Sequence, residues 1–96
     1  MATFDFEWDD AKAARNLAKH GVSFDEALGV FGDALALTFT DTEHSELEDR
    51  SRTYGRSNKG RLLVVVHTER RTGIRIISAR KATRHEKSIY ENSESG

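Results

Sequence analysis

A chain of 96 residues, 36% hydrophobic and 32% charged, has room for one small core, so we expect a single domain over residues 1–96. Because it contains no cysteine, a disulfide framework, a thiolate zinc site and a thiol nucleophile are excluded. The formal net charge of −1 hides two halves of opposite sign: residues 1–49 carry 3 Lys/Arg and 12 Asp/Glu, whereas residues 50–87 carry 12 and 2.

The basic half, residues 50–87, has a segment charge of +10 and is rich in arginine. Guanidinium groups stay protonated and bind phosphate oxygens through two parallel hydrogen bonds, so nucleic acid is the first partner to consider. The alternative is that folding mixes the two halves in space and leaves ordinary surface salt bridges. Composition alone leaves both interpretations open.

The N-terminus lacks the basic and apolar regions of a secretory signal, and nowhere do 18 apolar residues run together. We therefore expect a cytoplasmic protein without membrane association. The polar tail, residues 92–96, is expected to be disordered.

The first half of the chain predicts a strand, two helices and a second strand. Aromatic residues alternate with acids over residues 4–8, which is typical of a strand with one buried face. Asp9 or Asp10 then caps a helix that Gly21 ends, and Ser23 with Glu26 forms a capping-box signal for a second helix that ends near Gly32. Alternating apolar residues predict the next strand over residues 35–40, followed by a polar loop over residues 41–49.

The second half predicts three strands and a helix. Residues 50–56 are a candidate third strand, and the apolar run 62–66, extended by His67 and Thr68, is typical of a central strand. The central strand and residues 74–79 are predicted to form an antiparallel hairpin. Residues 82–90 are predicted to form the last helix. The order is β-α-α-β-β-β-β-α, an α+β fold with an antiparallel sheet, two N-terminal helices and one C-terminal helix, all on one face of the sheet.

Neither a metal nor a nucleotide cofactor is expected from the motifs. The four histidines are scattered, without the short spacings of zinc ligands. The glycines are isolated and form no phosphate-binding loop.

Three groups of residues between 4 and 91 carry a resemblance to a known family. The N-terminal group is Phe6-x-Trp8-Asp9-x-x-Lys12-x-x-x-Asn16, Lys19-His20-Gly21-Val22-x-Phe24 and Val30-Phe31-x-Asp33. The central group is Asp41-x-x-His44-Ser45-x-x-Glu48-x-Arg50, Gly55 and Gly60-Arg61-x-Leu63-x-Val65-Val66-His67-Thr68. The last group is Ile74-Arg75-Ile76-Ile77-Ser78-Ala79-Arg80-x-Ala82-Thr83 with Glu86 and Tyr90. In these residues the chain resembles the BrnT toxin family.

The resemblance implies a RelE-like fold and the role of toxin in a type II toxin–antitoxin system. The implied activity is that of a ribonuclease that cleaves RNA and inhibits translation. It further implies a ribbon-helix-helix antitoxin of the BrnA type that neutralises the toxin. DNA would be bound only indirectly, through that antitoxin.

Metal-independent RNA cleavage requires proton transfer and stabilisation of the phosphorane, and Arg and His can supply both. We expect Arg50 and Arg80 to bind the phosphate. A guanidinium group on a strand has a fixed position, and its hydrogen-bond donors can stabilise the negative charge that develops on the phosphate oxygens. His67 is the candidate acid or base, since an ordinary histidine pKa of about 6.5 populates both protonation states near neutrality. Alternatively, His67 is a strand-end histidine that bonds a neighbouring backbone carbonyl.

Other polar residues are weaker candidates. Glu48 could orient an arginine or serve as base, although a solvated loop carboxylate is the alternative. His44 fits an ordinary turn equally well, and Tyr90 a helix-packing position. Candidate RNA-binding residues in the basic half are Arg52, Arg61, Arg75, Arg84 and Lys87. For Arg84 and Lys87 on the last helix, a solvated helix face is the alternative.

Two classes of function stay open at this level. The first is an RNA-cleaving toxin. The second is a noncatalytic module that binds nucleic acid or an acidic protein through the same basic surface.

Overall fold

The structure, a computed structural model, describes residues 5–41, 50–71 and 73–94. The observed elements are β1 (Asp5–Glu7), α1 (Asp10–His20), α2 (Phe24–Leu28) continued by a 3₁₀ turn (Gly29–Gly32), β2 (Leu37–Thr40), β3 (Arg50–Arg56), β4 (Leu62–Arg70), β5 (Gly73–Lys81) and α3 (Arg84–Glu94). This order confirms the α+β class and the sequence of strands and helices predicted above. The expectation of a disordered tail over residues 92–96 was wrong for residues 92–94, because α3 extends through them, and residues 95 and 96 lie outside the described residues.

The five strands form one sheet in the order β1-β5-β4-β3-β2, with β4 in the centre as its apolar run predicted. The pairs β2–β3, β3–β4 and β4–β5 are antiparallel, whereas β1 pairs with β5 in parallel. The expectation of a wholly antiparallel sheet was therefore wrong for β1. The alternation of apolar and polar residues along a strand predicts which face is exposed but not the direction in which the strand pairs. No hairpin joins β1 to β5, so the connection does not require antiparallel pairing.

Helix α1 begins and ends as its sequence indicated. The Asp9 side chain accepts a hydrogen bond from the Lys12 backbone N–H, which satisfies one of the free donors of the first turn. Gly21 follows the helix with φ of 69°, a left-handed conformation that glycine adopts without steric cost.

The main core lies between the sheet and the two N-terminal helices. It contains Val22, Phe24, Ala27 and Val30 from the helical side and Leu63, Val65, Ile76 and Ala79 from the sheet. Phe6 and Trp8 pack against this core, with ring contacts to Phe31 and Phe24. The N-terminal aromatic residues within the described range thus serve packing.

Helix α3 lies on the other side of the sheet, contrary to the expectation of helices on one face. Cross-strand register places Tyr54, Val64 and Arg80 in one row, on the face opposite Thr53, Val65 and Ala79. Arg80 bonds Glu86 of α3, and the Arg56 guanidinium lies 5.6 Å from the centre of the Tyr90 ring. Amphipathicity predicts that a helix packs but not which side of the sheet it covers.

Asn16 of α1 completes the outer edge of the sheet. β1 pairs only with residues 73–75 of β5, so on the side of β1 the following part of β5 has no neighbouring strand within the described residues. There the Asn16 side chain donates to Ala79 O at 2.7 Å and to Val22 O at 2.9 Å, and its Oδ1 accepts from Ala79 N at 3.1 Å. Helix α1 is therefore fixed to the backbone of β5.

Candidate anion-binding site

Arginines from two strands project from the face of the sheet opposite the main core. Register pairs Arg52 with Val66, and Val66 with Ser78, so these three residues form one row across β3, β4 and β5. Because side chains two positions apart share a face, Arg50 and Arg80 lie on the same side. The antiparallel sheet thus brings together residues 30 positions apart in sequence.

These arginines line a cavity of about 280 Å³, which we call the arginine cavity. Its lining residues are Asp41, Arg50, Arg52, Val66, Ile77, Ser78 and Arg80. A bulge between β4 and β5 at Val66/His67 leaves Ile77 without a partner in the ladder, beside the paired Ser78. The floor is therefore partly apolar, and guanidinium groups flank it.

Arg80 is fixed by a two-pronged ion pair with Glu86. Its two terminal nitrogens donate to the two carboxylate oxygens at 2.7 and 2.9 Å. The bonds to Arg80 hold the pKa of Glu86 at about 2 in spite of its burial, and the same contact raises the pKa of the guanidinium. The Arg80 side chain is still 37% exposed, so it can contact a ligand in the cavity.

Arg52 differs from Arg80 in its partners. Its side chain is half-buried, and its Nε lies away from solvent without a hydrogen-bond partner. Within the described ranges, no carboxylate forms an ion pair with Arg52. A guanidinium without an ion pair among the described residues favours an anion in the neighbouring cavity.

His67 does not meet the arginines. It pairs with Ser51 and Ile76, one position from the Arg52 row, and so projects into the opposite face of the sheet. Its ring is 2% exposed, with Nε2 2.7 Å from Thr53 Oγ1 and an edge-on contact to Phe31. Burial lowers the pKa of His67, so its neutral form is favoured. Its predicted role as acid or base has no support in these contacts.

Arg61, a candidate RNA-binding residue from the sequence, makes contacts within the fold. Its guanidinium forms a two-pronged ion pair with buried Glu26 and donates to Gly21 O at 3.0 Å. Ser57 also donates to Glu26, at 2.7 Å. The bonds from Arg61 lower the pKa of Glu26 to about 2. Arg61, the residue before β4, therefore links the start of that strand to α2 and does not line the arginine cavity.

The other candidates lie around the cavity or outside the described residues. Arg75 pairs with Thr68 on the face of Arg50 but lies beyond the cavity lining, and Arg84 and Lys87 are exposed on α3. Glu48 and His44 fall outside the described residues. Tyr90 is 2% exposed and donates to Asp33 at 2.6 Å, in keeping with a packing position.

Sequence reasoning missed two residues of this site. Asp41 was assigned to a loop, yet its N–H bonds Arg50 O at 2.8 Å, which continues the β2–β3 pairing to the cavity edge. Glu86 falls in the predicted last helix and among the residues of the family resemblance, and neither pattern marks it as a residue of the site. The pair Thr83-x-x-Glu86 is in fact a capping box, with reciprocal bonds of 2.8 and 3.2 Å, and this signal was visible in the sequence.

In the described part of the chain, no group of three or more histidine, aspartate and glutamate side chains is arranged to hold a metal ion. No helix within residues 5–41, 50–71 and 73–94 is both long and apolar enough to cross a membrane.

Fold and cavity together define a small α+β protein with an arginine-lined cavity on its sheet. A model of the family described as "Ribonuclease toxin, BrnT, of type II toxin-antitoxin system" matches residues 8–86. The chain therefore belongs to the BrnT family of ribonuclease toxins. Membership implies an RNA substrate and an antitoxin partner.

A solved structure agrees with this assignment. The ribonuclease toxin BrnT of Brucella abortus is 25% identical, with a TM-score of 0.66, over 85% of this chain and 100% of that chain. A comparison with curated proteins finds no match. The resemblance to the BrnT family predicted from the sequence is thus confirmed.

Proposed function

We propose that this protein is an endoribonuclease that cleaves RNA without a metal ion and that the arginine cavity binds the scissile phosphate. The observation that carries this proposal is the convergence of Arg50, Arg52 and Arg80, from two strands, on one cavity of about 280 Å³. Guanidinium groups match the geometry of phosphate oxygens and stay charged at any cellular pH.

Cleavage in this scheme begins when the 2′-hydroxyl oxygen of the preceding ribose attacks phosphorus. The bond to the 5′-oxygen then breaks, the hydroxyl proton passes to a base and the leaving oxygen takes up a proton. Negative charge grows on the nonbridging oxygens, and the arginines stabilise it. Hydrogen-bond donors stabilise the transition state most when they need not reorient during the reaction. The contact with Glu86 holds Arg80 in one orientation.

A carboxylate is the proposed proton acceptor. Asp41 is the acidic residue that lines the cavity within the described part of the chain, and it is 4% exposed. Glu48, chosen from the sequence, precedes Arg50 by two positions and is the second candidate.

We further propose that the protein inhibits translation in the cytoplasm and that a ribbon-helix-helix antitoxin of the BrnA type neutralises it. An acidic antitoxin segment over the arginine cavity would compete with RNA for the same guanidiniums. DNA would then be bound only through the antitoxin.

The decisive experiment is cleavage of a labelled RNA by the purified protein in the presence of a chelator. Multiple turnovers are expected for the wild-type protein. Arg52→Gln and Arg80→Gln should each lose about 100-fold or more in kcat, comparable with removal of one transition-state donor. Arg71→Gln, an exposed arginine outside the cavity, is the matched control.

The alternative function predicts a different result. A noncatalytic module would bind RNA stoichiometrically and leave it intact. That outcome with a folded wild-type protein would refute the nuclease assignment, and activity that disappears with chelator would refute metal independence.

A further inference from the structure

A second basic surface lies on α1, away from the arginines of the cavity. It surrounds a shallow depression of about 380 Å³ that is lined by Lys12, Arg15, Asn16, Lys19, His20 and Ile77. We call these residues the α1 patch. Lys12, Arg15 and Lys19 are the only three Lys/Arg residues of the acidic half, residues 1–49, and all three lie here.

The helix period explains why these side chains share one surface. Positions 12, 15, 16 and 19 follow the i, i+3, i+4, i+7 spacing of a single helix face. Asn16 lies within that face and bonds the backbone of Ala79 through both its amide nitrogen and its oxygen. The cations flanking Asn16 are therefore held against the edge of β5.

The α1 patch adjoins the arginine cavity across this edge. Ile77 lines both depressions. Ala79, the residue that Asn16 holds, lies between Ser78 and Arg80, and both of these line the arginine cavity. The two basic surfaces are thus separated by a single strand at the side of the sheet.

The charge of the α1 patch is only partly balanced within the described residues, where Asp9 at the start of α1 interacts electrostatically with Lys12 and Arg15. Lys12, Arg15 and Lys19 are exposed, and within the described ranges none of them forms an ion pair. Arg61 and Arg80, in contrast, are each paired with a glutamate. Exposed cations without an ion pair attract a polyanion and release its counterions on binding.

We propose that the α1 patch binds the phosphates of the RNA that flanks the phosphate held in the arginine cavity, so that the substrate strand crosses the outer edge of β5. This proposal rests on the proposed nuclease function. Contacts to phosphate carry no sequence information, so the patch contributes to the affinity for RNA and not to sequence preference.

The test compares the wild-type protein with the double variant Lys12→Gln/Lys19→Gln. The control, Lys59→Gln/Arg71→Gln, removes the same charge from exposed positions outside both depressions. The probes are fluorescent, fully 2′-O-methylated RNAs of 12 and 3 nucleotides, which cannot be cleaved through a 2′-hydroxyl. Binding is measured by anisotropy over a series of salt concentrations, and cleavage with matching unmodified RNAs.

The α1 variant should bind the 12-mer about tenfold more weakly near 0.1 M salt, and the slope of log K against log salt should fall by about 1.4 for two lost phosphate contacts. Binding and cleavage of the 3-mer should match the wild type, because a short RNA fills only the arginine cavity. The control should behave as wild type with both probes, and thermal unfolding should confirm that all variants fold.

Three outcomes would overturn the proposal. An unchanged salt slope with the 12-mer removes the α1 patch from the RNA path while leaving the nuclease function intact. A wild-type protein that neither binds nor cleaves RNA would refute both the role of the α1 patch and the nuclease function. A defect seen only in binding of an acidic antitoxin, with RNA binding unaltered, assigns the patch to protein recognition instead.

Discussion

Glu86 contacts both terminal nitrogens of Arg80, at 2.7 and 2.9 Å, and the same carboxylate accepts a bond from the backbone N–H of Thr83 at 2.8 Å. One side chain thus caps α3 and orients an arginine of the cavity. The start of α3 and the geometry of the proposed site are therefore coupled.

Substituting Glu86→Gln should lower kcat for RNA cleavage by about tenfold or more, because Arg80 would lose its two-pronged partner and its fixed orientation. KM should change less. The matched control is Glu91→Gln, an exposed residue on the same helix. Single-turnover and steady-state kinetics would check the prediction, and an unchanged kcat in a folded variant would show that Arg80 needs no such positioning.

Replacing Arg61 should reduce stability rather than RNA affinity. In Arg61→Ala the buried carboxylate of Glu26 loses its ion pair, and we expect a lower free energy of unfolding. Urea denaturation would measure it, with Lys59→Ala as the nearby exposed control. If RNA affinity of the folded variant fell while stability held, the initial assignment of Arg61 to RNA binding would be restored.

Acid should destabilise the protein through Glu26 and Glu86. Both carboxyls have a pKa of about 2 in the folded state, against an ordinary value of 4.5. The unfolded chain takes up these protons first, so stability is fully present above pH 4.5 and is lost as the pH falls toward 2. Unfolding followed from pH 5 to 2 should show this decline, and Glu26→Gln should flatten it relative to Glu91→Gln.

His67 should make the stability of the protein depend on pH in a separate range. Burial lowers its folded pKa below 6.5, so the unfolded state binds the proton at a higher pH than the folded state does. Stability should therefore decrease as the pH drops below 6.5. His67→Gln should remove this dependence, whereas His85→Gln, exposed on α3, should retain it. Cleavage that vanished in a stable His67→Gln protein would instead support the catalytic role first predicted for this histidine.

Asn16 should be needed for the sheet edge. Asn16→Ala would leave the backbone N–H and C=O of Ala79 and the C=O of Val22 without their partner, at a cost of about 3 kcal/mol or more. Thermal or urea unfolding would show the loss, with exposed Asn58→Ala as control. A variant as stable as wild type would mean that water replaces the amide at this edge.

The local elements and the choice of arginines were readable from the residues themselves. Capping residues such as Asp9 and Ser23 and the apolar run at the centre of β4 act over a few positions, so their patterns predict elements directly. The charge split likewise placed Arg50, Arg52 and Arg80 among the 12 cations of residues 50–87, and the predicted strands favoured Arg50 and Arg80 as phosphate ligands.

Only the tertiary structure decided which of these residues meet. The register of β3 against β4 pairs Arg52 with Val66 and Ser51 with His67, and a slip by one residue would exchange their faces. Periodicity in one strand carries no information about that register, nor about the side on which α3 packs. For this reason the sequence determined the cations and the strands, whereas long-range pairing brought the arginines together and placed His67 in the core.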